Sequence, residues 1–140
     1  MLHVKYYLAG SYNRRDALMS KANEISKCSN ESIKIECVSR WLQGNAGSPS
    51  AQVAEWDMDD VRAADVLVIE SGLSTTGGKW VELGMALALN KPVLFLRKNI
   101  EEDRHTPVFI TMCSRETSYT TDNCTIADYI IGLYEESRDE

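Results

Sequence analysis

The chain has 140 residues and a mass of 15.7 kDa, which is one ordinary domain and too little for two separate cores. Hydrophobic residues make up 44% and charged residues 26%, a globular profile rather than a disordered one. With 15 Lys+Arg against 21 Asp+Glu the net charge is -6, so no basic face is available to grip a nucleic acid polymer, although a small anion held by one or two local cations is compatible with it.

No stretch is apolar enough for a transmembrane helix, and the N-terminal segment Met1-Leu2-His3-Val4-Lys5 lacks a long apolar region before a cleavage site. Cys28, Cys37, Cys113 and Cys124 form no C-x-x-C pair, and His3 and His105 stand alone. The expectation is therefore reduced thiols, a cytoplasmic setting and no metal site.

Taken in order, Val4 to Leu8 reads as a strand ended by the turn Ala9-Gly10-Ser11. Arg15 to Lys27 reads as a helix, because Ala17, Leu18, Ala22 and Ile25 recur at steps of three and four. Ile33 to Val38 alternates as a half-wet strand does. Gly44 to Ser50 is a loop, and Ser50 to Ala63 a second helix. Val66 to Ile69 is wholly apolar, the pattern of a buried parallel strand. Ser71 to Gly78 is a small-residue loop, followed by a helix over Lys79 to Leu89 and a strand over Pro92 to Leu96. In the irregular stretch from Asn99 to Asn123, either Val108 to Met112 or Thr117 to Thr120 is a candidate strand. Ile126 to Glu135 closes the chain as an amphipathic helix.

This alternation predicts a single α/β domain over residues 1–140: a doubly wound parallel sheet of about five strands, flavodoxin- or Rossmann-like, with helices on both faces. Ligands bind such sheets at the carboxyl ends of the strands. The loops there are 9–14, 39–50 and 70–78, which are also the segments of unusual composition.

Two carboxylates stand where apolar residues are expected. From Trp80 to Leu89, Glu82 is the only charged residue of a helix otherwise apolar all round, and such a helix is expected to be buried. Burial raises the pKa of Glu82 while the positive helix end favours its anion, a balance suited to a nucleophile or an acid/base. The alternative is a cap, or a pair with Lys79 or an arginine. On the preceding helix, Val53, Ala54, Met58, Val61 and Ala64 span one apolar arc at 100° per residue. Asp57 falls inside it, Asp60 near its edge and Asp59 outside. An inward carboxylate needs a partner or a task; a buried salt bridge is the alternative reading. Paired carboxylates suit glycosidic cleavage, where one stabilises an oxocarbenium-like carbon and the other handles a proton. The turn Gly10-Ser11, with Arg14 or Arg15 behind it, is a candidate phosphate cradle or an ordinary strand-to-helix turn.

Tyr7-Leu8-Ala9-Gly10-Ser11, Ala64-Asp65-Val66-Leu67-Val68 and Gly77-Gly78-Lys79-Trp80-Val81-Glu82-Leu83-Gly84, with Lys91-Pro92-Val93 after them, resemble the nucleoside 2-deoxyribosyltransferase-like superfamily, which includes the 2'-deoxynucleoside 5'-monophosphate N-glycosidases. The resemblance covers residues 4 to 97. It implies Glu82 as the nucleophile on the anomeric carbon, Asp57 as the catalytic aspartate and Tyr7 beside the sugar. It further implies Gly10, Ser11, Arg14 or Arg15, and Thr76 around a 5'-phosphate, with Gly78 in the same loop. Trp41 is a candidate for stacking on the base, or a core residue. The implied substrate is a small nucleoside or nucleotide, with no cofactor, and the implied assembly a homodimer. Two other readings share these features. One is a ribonucleotide phosphoribohydrolase of the lysine-decarboxylase-like type, whose fuller P-G-G-x-G-T-x-x-E motif is absent. The other is a nucleotide-binding or sequestering module without catalysis.

Overall fold

In a computed structural model the described residues are 1–43, 51–71, 78–98 and 111–139. Five strands, β1 (Leu2–Ala9), β2 (Ile33–Cys37), β3 (Val66–Glu70), β4 (Val93–Arg97) and β5 (Arg115–Ser118), form one sheet in the order β2-β1-β3-β4-β5. All four pairings are parallel, with Tyr6 opposite Cys37 on one side and Val66 on the other, Ile69 opposite Phe95, and Phe95 opposite Glu116. The helices are α1 (Arg15–Ser26), α2 (Ala51–Ala63), α3 (Gly78–Ala88) and α4 (Asn123–Arg138), with single 3-10 turns at Tyr12–Arg14 and Arg40–Leu42. None of them is long and apolar enough to cross a membrane.

Period-two alternation divides the core into two layers. Val4, Tyr6, Leu8, Val66, Val68, Leu94 and Leu96 face α1 and α4, where Leu18, Ile25, Ile126 and Ile130 meet them. Tyr7, Ala9, Leu67, Ile69, Val93 and Phe95 face α2 and α3, where Val61, Leu83 and Ala86 meet them. Two adjacent tyrosines thus go to opposite sides. Tyr6 donates its hydroxyl to the Ala22 carbonyl at 2.9 Å, whereas Tyr7 turns toward α2.

The sheet order reverses direction between β1 and β3, and ligands of such folds bind at that switch point, at the carboxyl ends of the strands. Gly10 follows β1 there for a packing reason. A Cβ at Gly10 would come within 2.4 Å of a methyl of the fully buried Leu18, so that side chain would have to shift. At the far end of α3, Asn90 adopts a left-handed conformation (φ 57°) and stops the helix before Pro92.

Three expectations change. The fifth strand is Arg115–Ser118, which overlaps the second candidate at Thr117 and Ser118 but begins two residues earlier. Its polar sequence suits a sheet edge, where charged side chains protect the unpaired side. The helix α3 is not buried all round: Val81 is 64% exposed, and Leu89 just beyond its end is open too. Finally, the thiols are not all reduced, since Cys28 and Cys124 form a disulfide. The bridge links the segment after α1 to the first turn of α4 across 96 residues, a separation no local spacing motif reveals. Cys37 and Cys113 remain free.

Candidate active site

Tyr7, Asp57 and Glu82 come from β1, α2 and α3, which are distant in sequence. Strand alternation aims Tyr7 at the α2–α3 layer, and there its hydroxyl donates to Asp57 Oδ1 at 3.3 Å. Glu82 stands close enough to the same hydroxyl for each to perturb the other's titration. One phenol therefore stands between the two carboxyl groups singled out as misplaced, bonded to Asp57.

Glu82 is 9% exposed, and its Oε2 is buried with no hydrogen-bond partner among the described residues. Burial pushes its pKa from 4.5 up to about 8; the Tyr7 bond opposes the rise, and the negative charge of Asp57 adds to it. Asp57 is half-buried, and burial raises its carboxyl more than the Tyr7 bond lowers it. The Tyr7 phenol is driven far above its ordinary value, first by burial and then by the two carboxylates, so it remains a neutral donor. Burial thus favours the protonated form of Glu82 more strongly than that of the half-buried Asp57.

Asp60 illustrates the alternative role for an acidic residue on α2. It is buried, and the Arg40 side chain pairs with it at 2.9 Å. The Arg40 amide also donates to it at 3.0 Å, which ties the turn after β2 to α2. The helical-arc argument placed Asp60 near the edge of the inner face; it lies inside it.

The phosphate candidates divide. Ser11 is buried at the β1 rim. Arg14 is engaged by Glu70, a fully buried carboxylate at the end of β3, through Nε at 3.2 Å and Nη2 at 3.1 Å. Arg15 lies 3.9 Å from Asp16. Gly78 opens α3 with open space where a Cβ would stand. Thr76 lies outside the described residues. Trp41 donates its indole N–H to the Leu8 carbonyl at 2.9 Å and packs on both core layers, which fixes its ring beside the β1 end.

Of two further charged residues at this edge, Glu70 escaped the sequence reading and Lys79 entered it only as a possible partner of Glu82. Glu70 is the charged terminus of an otherwise apolar strand, at the edge where a site is expected. Lys79 is 2% exposed, and its ammonium lies 3.5 Å from Ser11 Oγ and 3.4 Å from the Glu70 carbonyl. Its spacing of three from Glu82 puts both on one helix face, a signal present in the sequence.

The family model described as nucleoside 2-deoxyribosyltransferase matches residues 6–128. A CMP N-glycosidase from Clostridium botulinum superposes with a TM-score of 0.57 at 16% identity, covering 94% of this chain and 98% of its own. A 2-deoxyribosyltransferase from Leishmania mexicana gives 0.54 at 19% identity over 69% of this chain and 65% of its own. A 3-dehydroquinate dehydratase-like protein from Bifidobacterium longum gives 0.54 at 11%, over 97% and 98%. At these identities the superpositions show a shared fold. No curated protein matches by sequence.

Proposed function

Given that the chain belongs to the nucleoside 2-deoxyribosyltransferase family, we propose that it cleaves the N-glycosidic bond of a 2'-deoxynucleoside or its 5'-monophosphate, with Glu82 as the nucleophile. The observation that carries this reading is the convergence of two carboxyl groups on Tyr7 beside the β1–β3 switch point: its hydroxyl donates to Asp57, and the buried Glu82 stands next to it.

In the proposed reaction the Glu82 carboxylate attacks C1' and forms a glycosyl ester as the C1'–N bond breaks. Asp57 delivers the proton that lets the base depart neutral. The ester is then opened by water in a hydrolase, or by a second base in a transferase. The free pair holds its proton mainly on Glu82, whereas the attacking form needs it on Asp57. Tyr7, bonded to Asp57 and next to Glu82, is the path for that transfer in this reading. Ser11, Gly10, Gly78 and Thr76 line the sugar's 5' side in this reading, together with Arg14 or Arg15. The base lies toward Trp41.

Chromatography after incubation with deoxynucleotides, ribonucleotides and nucleosides, with and without a second base, tests the proposal. Ribonucleotides belong in the panel because one structural neighbour is a CMP N-glycosidase. Release or exchange of base is expected from deoxy substrates. Preference for ribonucleotides would overturn the deoxy specificity, and binding without turnover would favour the sequestering module.

The shared proton also fixes the pH dependence. On the acid side both carboxyls are protonated and Glu82 cannot attack. On the alkaline side both are ionised and no proton is available for the base. The profile of kcat/KM is thus expected to be bell-shaped, falling about tenfold per pH unit above about 8. A rate still rising past that pH would refute the acid role of Asp57.

A cytoplasmic setting loses the thiol argument, because the Cys28–Cys124 bridge is of the kind that persists in oxidising compartments. A homodimer is supported by the apolar side chains left open on the α2–α3 layer, namely Met58 (40% exposed), Val81 and Leu89. Sedimentation of Val81→Glu is expected to show a shift toward monomer; an unchanged wild-type monomer would remove the dimer.

A further inference from the structure

We propose that Asp60 and Arg40 act together as the positioning pair for Asp57, holding α2 against the end of β1 so that the Asp57 carboxyl meets the Tyr7 hydroxyl, and balancing the charge around it. The proposal rests on the glycosidase reading and adds two residues to its machinery.

The contacts form a closed circuit. Tyr7 donates to Asp57 at 3.3 Å. Asp60 stands one helical turn further along α2, on the same side of the helix. Its Oδ1 accepts from Arg40 Nε and Nη2, each at 2.9 Å, and its Oδ2 from the Arg40 amide at 3.0 Å. The neighbours of Arg40 return the circuit to β1. Ser39 Oγ accepts from the Leu8 amide at 2.7 Å, and the Trp41 indole donates to the Leu8 carbonyl at 2.9 Å. Leu8 follows Tyr7 in the strand. The Arg40 guanidinium also lies 5.3 Å from the centre of the Trp56 ring, so it touches α2 residues on both sides of Asp57. A shift of α2 that parted Asp57 from Tyr7 would have to break a charged fork backed by a main-chain bond.

Stability alone gives the pair little reason to be there. Asp60 is 6% exposed, and a buried ion pair commonly adds little net stability, because desolvation of its charges offsets their attraction. The charges matter more to Asp57. Among the described residues, the groups that face it are Tyr7 from β1, Glu82 from α3, Arg40 from the turn after β2 and Asp60 on α2. Asp59, also on α2, is paired with Arg62 at 3.3 Å. Burial raises the Asp57 carboxyl most; the Tyr7 bond and the Arg40 charge oppose the rise, and the Asp60 charge adds to it. Asp60 thus favours the protonated Asp57 that the departing base requires, and Arg40 limits that effect while it holds the fork.

The test is the pH profile of kcat/KM for the full chain with a deoxynucleoside and its 5'-monophosphate. Beside it, carbon-13 NMR follows titration of the aspartate carboxyls, with the Asp57 signal identified by its loss in Asp57→Asn. Asp60→Asn removes the charge that favours the proton and leaves Arg40, so the Asp57 carboxyl is expected to titrate at lower pH. The acid break of the profile, where Asp57 gives up its proton before Glu82, is expected to move about one pH unit toward acid. The plateau is expected to fall about tenfold, since the form with the proton on Asp57 becomes rarer. Removing Arg40 as well, in Asp60→Asn/Arg40→Met, is expected to return the break and the titration toward the wild type, whereas mere damage to packing would deepen. Should thermal melting show that Asp60→Asn does not fold, Arg40→Met keeps Asp60 and its main-chain bond, and the Asp57 titration is expected to move the opposite way. A titration that does not move in a folded variant, that moves the same way in both single variants, or that the second substitution fails to reverse overturns the assignment. If the Asp57 titration moves as expected but no base is released from either substrate, the glycosidase reading fails and the assignment of the pair stands. If base is released and the profile of Asp60→Asn superposes on the wild type, the assignment fails and the glycosidase reading stands.

Discussion

Glu82→Gln is expected to abolish turnover while making the protein more stable in alkaline solution. The amide keeps the shape of the side chain beside Tyr7 but cannot form a glycosyl ester, so kcat is expected to fall at least about 10,000-fold. The stability effect follows from linkage. Burial raises the Glu82 carboxyl from 4.5 in the unfolded chain to about 8 in the folded one. Between those values the native state binds a proton that the unfolded state has released. Folding stability therefore declines as pH rises through that window, by at most about 1.4 kcal/mol per pH unit. Gln does not titrate, so the variant lacks this slope and gains on the wild type from pH 5 to pH 8. Urea melts at the two pH values, run beside single-turnover kinetics, separate the two effects. Turnover within tenfold of wild type would remove Glu82 as nucleophile. Parallel stability curves would show that its carboxyl is not held protonated by burial.

The second large effect concerns the disulfide. Breaking Cys28–Cys124, by reductant or by Cys28→Ser, reopens a loop of 96 residues in the unfolded chain. In the chain-entropy account, closure of a loop near 100 residues is worth about 4.7 kcal/mol, and measured values are typically about 2–4 kcal/mol. For a domain of this size that corresponds to a fall in Tm of roughly 10 °C. The bridge joins the α1 and α4 side, whereas Tyr7, Asp57 and Glu82 lie on the other face of the sheet, so kcat below the transition is expected to stay within about twofold. Calorimetry with and without reductant measures the shift. Thiol titration of the unreduced, denatured chain should find Cys37 and Cys113 alone. Four reactive thiols with an unchanged Tm would eliminate the bridge.

The sequence made the sheet legible because its central strands are apolar on both sides. Val66 to Ile69 and Pro92 to Leu96 announce buried parallel strands, and the helices between them leave few topologies. The edge strand was legible only in part: Thr117 and Ser118 belong to a candidate segment, but Arg115–Ser118 has no apolar alternation and its pairing with β4 defines its bounds. Asp57 was legible from the helical arc, since period and polarity disagreed at one position. Asp60 was obscured because its partner, Arg40, comes from a turn that the arc cannot see. Arg14 illustrates a further limit. Its place after Gly10-Ser11 suggests an open fork, yet Glu70, 56 residues away, closes on it. Local pattern finds which residues turn inward. The charge they meet there is set by strands brought together from elsewhere in the chain.

The two-layer core has a consequence for engineering. The α1–α4 side carries the covalent staple and the larger buried cluster, and the α2–α3 side carries the buried carboxyls that cost stability. The sheet between them is a partition. Substitutions that fill or tighten the stapled layer should accumulate without touching turnover. A gain in robustness on the other layer, as at Glu82, comes at the expense of the reaction. The fold thus gives laboratory evolution a face to harden and a face to diversify.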